Sequence, residues 1–407
     1  MKCAICKKTL NKKIIDLGSA PITNNLLKKI SKNHSKYSFP LQVHFCSKCW
    51  LVQNKYKIDP KKIFKNDYPY FSSFSSSWVN HARVFTNRMI KKFKLDKSSL
   101  IAEVASNDGY LLQFFKRKNI PCYGIEPTKS TAKAAKKKGI KTYEKFFNIK
   151  TAKILSKNLK ADLIIANNVL AHVPDLGNFI KSFKILLKDD GLATFEFHYL
   201  VNLIKKKQFD TIYHEHYFYH SLISLNKIFK YYGLKIFDAE KLKSHGGSLR
   251  IFVKKINQPN YKVTERLKRY IDYEYKIGVN KIIFYKNLQS EAFKIKNKLV
   301  SFLNYCNVNN FNVIGYGAAA KGITLINFSN INSNHLKYII DKNPKKQNKF
   351  LPQSNIKIVN LEIIKKIKPK FIIILPWNLK KELIKELKFI RKWGGKFVVF
   401  VPSFKIY

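Results

Sequence analysis

LIAEVASNDGYLLQFFKRKNIPCYGIEP, residues 100–127, decides how the middle of this chain folds. An apolar run (100–105) stops at a short polar turn containing one glycine. A segment with one apolar face follows (110–119), then a second short apolar run (122–127). Runs of that length read as buried strands, and the segment between them as a helix, which makes a strand-helix-strand unit. The pattern continues outward. A second helix is expected over 130–139 and further strands over 161–170 and 191–200, with a closing pair in LKIFDAEKL (234–242) and GSLRIFVKK (247–255). Strands interleaved with helices imply an α/β fold with a parallel, doubly wound sheet.

Residues 262–305 are rich in Lys and Glu and read as one or two linking helices. Beyond them a second α/β unit is expected from NVIGYGAAAKG (312–322), KYIID (337–341), KFIIILPWN (370–378) and GKFVVFVPS (395–403). At the other end, Cys3-x-x-Cys6 and Cys46-x-x-Cys49 each make a turn that aims two thiolates at one point. Two such turns complete a tetrahedral zinc site, so residues 1–65 read as a zinc ribbon or knuckle pair. DLGSAPITNNLL (16–27) belongs to an excursion between the pairs. The domains are thus set at 1–65, 66–258 and 259–407.

Composition narrows the function. The formal net charge is +53, yet only seven of the 78 basic residues are Arg. Nucleic-acid readers favour the bidentate Arg fork, so the charge points rather to solvated faces and to an acidic small substrate. An RNA-directed enzyme, with the zinc module as docking surface, stays open. The longest apolar runs, such as 371–377, fall far short of the roughly 20 residues of a membrane span. The N-terminus has no leader-like apolar core, and a monomer in the cytoplasm is expected.

Two further signals concern ligands. The turn after the strand ending at Glu103 places backbone N–H groups and Gly109 at a helix start, where open α/β sheets bind ligands. Glu126 follows Glu103 by 23 positions, near the spacing at which a carboxylate accepts ribose hydroxyls. Gly315-x-Gly317-x-x-Ala320, with Asp341 ending the next strand, matches a dinucleotide fingerprint. That leaves an NAD-dependent sugar reductase or epimerase as an alternative. A helix N-terminus beside Lys321 and Lys342 would equally hold a substrate diphosphate.

The whole chain resembles the sugar C-methyltransferases that act on nucleotide-linked keto-deoxysugars. The resemblance runs from Cys3 to VPSF (401–404). It rests on the two Cys pairs, YPYFSSFSSS (68–77), ASNDGYLLQFF (105–115), GIEP (124–127), ANNVLAHVPD (166–175), FDTIYHEHYFY (209–219), HGGSLR (245–250), GYGAAAKG (315–322) and DKNPKKQ (341–347). It implies a zinc module, a central class I methyltransferase domain and a C-terminal Rossmann-like domain that helps to bind the nucleotide sugar. It implies S-adenosylmethionine bound by Glu103, Ser106, Asn107, Asp108, Gly109, Glu126, Pro127, Asn167 and Asn168. Substrate contacts are expected from His245, Gly246, Gly247, Arg250, Gly315, Gly317, Lys321 and Lys342.

The segment 209–221 carries three of the ten histidines. A metal site would use His216 and His220, four apart, but the sequence offers no third ligand beside them. Proton transfer suits the chemistry better. Carbon next to a ketone becomes nucleophilic only as an enolate, which needs a base near neutral pKa and donors at the developing oxyanion. By the resemblance the base is His216, with Tyr213 and Glu215 beside it and Tyr70 and His172 near the sugar. A carboxylate beside the imidazole is expected to orient the ring.

Overall fold

The computed structural model describes residues 1–30, 38–64 and 70–407. Tyr68 and Pro69 of the YPYFSSFSSS motif lie outside the described residues.

In chain order the strands are β1 (Lys12–Pro21), β2 (Ser38–Phe45), β3 (Val52–Asn54), β4 (Ile101–Val104), β5 (Cys122–Ile125), β6 (Lys141–Tyr143), β7 (Ala161–Asn167), β8 (Leu187–His198) and β9 (Phe218–Tyr219). They continue with β10 (Leu234–Leu242), β11 (Ser248–Lys255), β12 (Val313–Tyr316), β13 (Tyr338–Ile340), β14 (Lys357–Val359), β15 (Phe371–Ile374), β16 (Lys396–Val399) and β17 (Lys405–Ile406).

The central sheet has the order β6-β5-β4-β7-β8-β11-β10. Its first five strands are parallel, and every residue of β4 is buried, as expected where helices cover both faces. The sheet is not wholly parallel. β11 runs antiparallel to both β8 and β10, because β10 and β11 are joined by a short connection that cannot cross the sheet. The C-terminal sheet, β14-β13-β12-β15-β16-β17, is parallel except for its edge strand β17.

The helix expected over 110–119 shrinks to Leu112–Lys116, and the left-handed Asn119 (φ 56°) turns the chain towards β5. The linker 262–305 divides into the helices Glu265–Lys276 and Leu288–Val308. Gly278, at φ +78°, ends the first of them in the left-handed conformation that glycine adopts without a Cβ penalty.

The excursion between the Cys pairs is the antiparallel hairpin β1/β2. It continues into a four-stranded sheet, β1-β2-β3-β9, whose last strand comes from the His-rich segment. Ile15, Leu41 and Val43 of this hairpin share one apolar core with Leu299 and Ile326 of the C-terminal helices. Cys3, Cys46 and Leu51 share another with the central sheet. The zinc module therefore packs against both α/β units.

Candidate active site and zinc centre

The four Cys Sγ atoms lie within 4.8 Å of one another, with Cys3–Cys49 at 3.5 Å and Cys6–Cys46 at 3.3 Å. Zn–S bonds of about 2.3 Å in a tetrahedron put sulfurs about 3.8 Å apart, so the set fits one zinc ion. Each pair forms the same turn. Lys7 N–H donates to Cys3 O and Trp50 N–H to Cys46 O, and both Lys7 (φ 61°) and Trp50 (φ 62°) are left-handed. Among the described residues no other cluster of metal-ligating side chains has this geometry, and His216 and His220 do not form one.

The turn after β4 makes up for its missing glycines with strain. Ala105 (φ 55°), Asn107 (φ 51°) and Gly109 (φ 73°) alternate in the left-handed region. Ala105 adopts it at a cost of roughly 1–2 kcal/mol. Ser106 is buried against β5, which yields at Gly124, where a Cβ would lie 2.2 Å from Ser106 Oγ. Glu126 ends β5 and is buried; its carboxylate accepts the N–H groups of Asn107 and Thr128, both at 2.9 Å. Burial nevertheless raises its pKa.

A cavity of about 670 Å³ opens beyond these strand ends, a size typical of small-molecule sites. Asn107, Glu126, Pro127, Asn167 and Asn168 line it. Thr128, Phe146, Phe147 and Tyr110 line it too, none of which the sequence singled out. Asn168 Oδ1 is buried with no protein partner. Unspent acceptors beside a carboxylate and aromatic walls suit the hydroxyls, amino group and purine of S-adenosylmethionine. Glu103, Ser106, Asp108 and Gly109 do not reach the cavity wall. Glu103 is buried and accepts from Tyr110, whose ring lies in the wall; Asp108 receives Ser73 N–H and faces Lys138 at 3.5 Å. These residues shape the turn rather than the wall. Glu126→Ala is expected to weaken S-adenosylmethionine binding by roughly 1.5–3 kcal/mol, the range for hydrogen bonds to a charged group, measured by calorimetry.

Along the sheet edge from β5 through β4 and β7 to β8, the lining changes from carboxylate and amide to histidine. His172, His198, His216 and His245 all line the cavity, with Tyr70, Tyr213, Glu215 and Lys321. The His216 ring centroid is 4.0 Å from Tyr213, 4.7 Å from His172 and 5.4 Å from His198; His198 is 5.3 Å from His245. Burial is the main cause that keeps these imidazoles neutral. His172 and His245 are lowered to about 4, and His216 and His198 fall well below the ordinary value.

Hydrogen bonds fix the tautomers. His216 Nδ1–H donates to Thr211 O at 2.8 Å, because a carbonyl can only accept. Its Nε2 therefore carries the lone pair and accepts from the Tyr213 hydroxyl at 2.8 Å. His172 Nδ1–H likewise donates to Glu215 O at 2.7 Å, which makes its Nε2 an acceptor, not a donor. The expectation that a carboxylate orients His216 fails. Glu215 turns to the N-terminal module, where Thr23 Oγ1–H (2.6 Å), Asn24 N–H (3.1 Å) and Asn24 Nδ2–H (3.2 Å) donate to it. A backbone carbonyl orients the ring because Glu215 and His216 are adjacent and point apart.

Arg250 is corrected in the same way. It is 1% exposed, lies outside the cavity wall and pairs with Glu196 and Glu240. Burial works against the charge on Glu196, but Arg250, His81 and Ser244 hold its pKa down to about 2. His81, stacked on Trp78 at 4.8 Å between ring centroids, and Ser244 are the parts of this cluster that line the cavity. Gly246 and Gly247, both at positive φ, let the loop pack closely. A Cβ on Gly246 would lie 2.3 Å from Trp377, and one on Gly247 2.3 Å from Asn202.

In the C-terminal unit Lys321 reaches the cavity. It donates to His245 O at 3.2 Å and lies over the Trp377 ring, whose indole N–H bonds Asp210 at 2.6 Å. Lys342 instead pairs with Glu386 at 2.5 Å and is absent from the wall. Gly315 packs under Ile339, and Gly317 against Pro376. Asp341, the acid a dinucleotide ribose would need, accepts Ala318 N–H and Asn343 N–H, both at 2.9 Å.

Three family models match the chain in sequence order. Residues 3–64 match one described as "Putative zinc binding domain", 81–239 one described as "Methyltransferase domain", and 243–402 one described as "C-methyltransferase C-terminal domain". The chain is 28% identical over 403 residues to the C-methyltransferase NovU of Streptomyces niveus, which spans 99% of this chain and 96% of that protein. Among solved structures, a magnesium protoporphyrin IX methyltransferase of Synechocystis PCC 6803 with bound SAH aligns with 48% of this chain and all of its own, at 14% identity and a TM-score of 0.37. An S-adenosylmethionine-dependent methyltransferase of Clostridium acetobutylicum ATCC 824 aligns with 44% of this chain and 92% of its own, at 14% identity and a TM-score of 0.34. No described helix is long and apolar enough to cross a membrane.

Proposed function

We propose that this chain, an S-adenosylmethionine-dependent C-methyltransferase with a four-cysteine zinc module, methylates a carbon next to the ketone of a nucleotide-linked 4-keto-deoxysugar. The observation that carries the reading is the Tyr213–His216 pair, set beside His172 in a cavity continuous with the cofactor turn. Carbon methylation needs a carbanion equivalent, and a buried neutral imidazole with a fixed lone pair is a base able to make one.

The residues divide the work as follows. The α-C–H bond of the ketosugar breaks, and its electron pair moves into the carbonyl to give the enolate. The proton reaches His216 Nε2, carried by the Tyr213 hydroxyl that already bridges to it. The resulting imidazolium stays bonded to Thr211 O through Nδ1–H. Lys321 and Tyr70 line the same cavity, and their ammonium and hydroxyl would donate to the developing oxyanion. S-adenosylmethionine, held by Asn107, Glu126, Asn167 and Asn168, would supply an electrophilic methyl carbon. The chain's own share is to hold the enolate carbon in line and keep water out.

The assignment is tested by incubating the protein with methyl-labelled S-adenosylmethionine and a panel of nucleotide 4-keto-sugars, with mass spectrometry of the products. Label on a sugar carbon supports it. Label only on added RNA would replace it with the RNA-directed reading. Tyr213→Phe removes the bridging hydroxyl and should slow both α-proton exchange with D2O and methylation by on the order of 10²-fold.

A further inference from the structure

β3 connects the zinc centre to the catalytic turn. Consecutive residues on a strand point to opposite faces, and here the two faces serve two sites. Gln53 points to the thiolates: its Nε2–H donates to Cys3 Sγ at 3.3 Å, and its Oε1 accepts Ala4 N–H at 3.1 Å. Asn54 points the other way. Its Nδ2–H groups donate to His216 O at 2.8 Å and Tyr213 O at 3.3 Å, and its backbone N–H donates to Tyr217 O at 2.9 Å. Tyr213 and His216 are the ends of a single turn, closed by His216 N–H to Tyr213 O at 3.0 Å. That turn brings the hydroxyl onto the imidazole. Asn54 is 1% exposed, and β3 pairs with β9 directly after the turn, through Gln53–Phe218 and Val52–Tyr219.

We infer that Asn54 is a positioning residue for the Tyr213–His216 pair, and that β3 makes the placement of His216 depend on an intact zinc centre. This rests on His216 being the base. Asn54 does not itself line the cavity or the cofactor turn, and reaches the pair through the carbonyls of Tyr213 and His216 that it holds. Loss of zinc frees Gln53, loosens β3 against β9 and lets the turn open.

The test uses the full zinc-loaded chain with histidine rings labelled with nitrogen-15, followed by NMR, and needs no sugar substrate. The His216 signal is assigned by its loss in His216→Asn. In the wild type, His216 should show one Nδ1–H tautomer, with a ring proton protected by Thr211 O. In Asn54→Ala that proton should exchange with solvent at least tenfold faster, and the ring should average between tautomers. S-adenosylmethionine affinity should stay within threefold. Asn54→Asp keeps the volume but has no donor, and should do the same. Removing zinc from the wild type with a chelator should reproduce the change, and adding zinc back should reverse it. This last arm decides the matter if both variants fail to fold. A protected single tautomer in Asn54→Ala, or in zinc-free protein, overturns the inference. If the tautomer responds as expected but His216→Asn still methylates, positioning stands and the base assignment falls instead.

Discussion

His216→Asn should abolish methylation and the exchange of the α-proton with D2O, while S-adenosylmethionine binds nearly as before. The amide nitrogen of Asn can still donate near Thr211 O, so the turn keeps its support, but Asn has no basic nitrogen to take the proton from Tyr213. A positioned general base contributes roughly 10²–10⁴-fold, which sets the scale of the loss. The pH profile gives a second check. Burial first, then the neighbouring His172, lowers the pKa of His216 well below its ordinary value. A lowered pKa keeps the imidazole neutral as pH falls, so the base form persists through about pH 6.5, where an exposed histidine would be half protonated. The kcat/KM profile should therefore show no acid limb near 6.5 from this group. Such a limb, or an active His216→Asn enzyme, would remove His216 as the base. His220→Ala should do much less, since His220 is buried beside Phe197 outside the cavity wall.

The second large effect belongs to the zinc centre. Cys46→Ser should lose the ion and melt the N-terminal module before the cofactor domain. A structural zinc site contributes on the order of 10–16 kcal/mol of binding free energy at neutral pH, which apo protein forgoes. The shared cores set how far the damage spreads. Cys3, Cys46 and Leu51 pack in the same cluster as central-sheet residues, whereas Asn107 and Glu126, at the strand ends that line the cavity, lie outside that cluster. Thermal unfolding of Cys46→Ser should therefore show an early transition, with S-adenosylmethionine still binding above it. Freshly purified reduced protein that contains no zinc by elemental analysis would refute the site itself.

Much of this was legible in the chain. The apolar runs at 100–105 and 161–170 mark strands because burial on both faces forces continuous hydrophobicity, and the two CxxC pairs mark a metal centre because thiolates at that spacing converge. The strand ends carrying Asn107, Glu126 and Asn167 follow from those runs, since ligands in open sheets collect there. The antiparallel β11 was harder to see, because composition does not encode strand direction.

The orientation of side chains was decided by tertiary structure alone. Nothing in HGGSLR tells that Arg250 lies beneath the cavity, because its partner Glu196 sits on another strand 54 positions away. Nothing in YHEH tells that Glu215 faces Thr23 and Asn24, nearly two hundred residues earlier, while a carbonyl orients His216. Local sequence sets which residue types stand near a site. Which atom of each meets which partner depends on long-range packing, here on the unheralded pairing of β9 with β3.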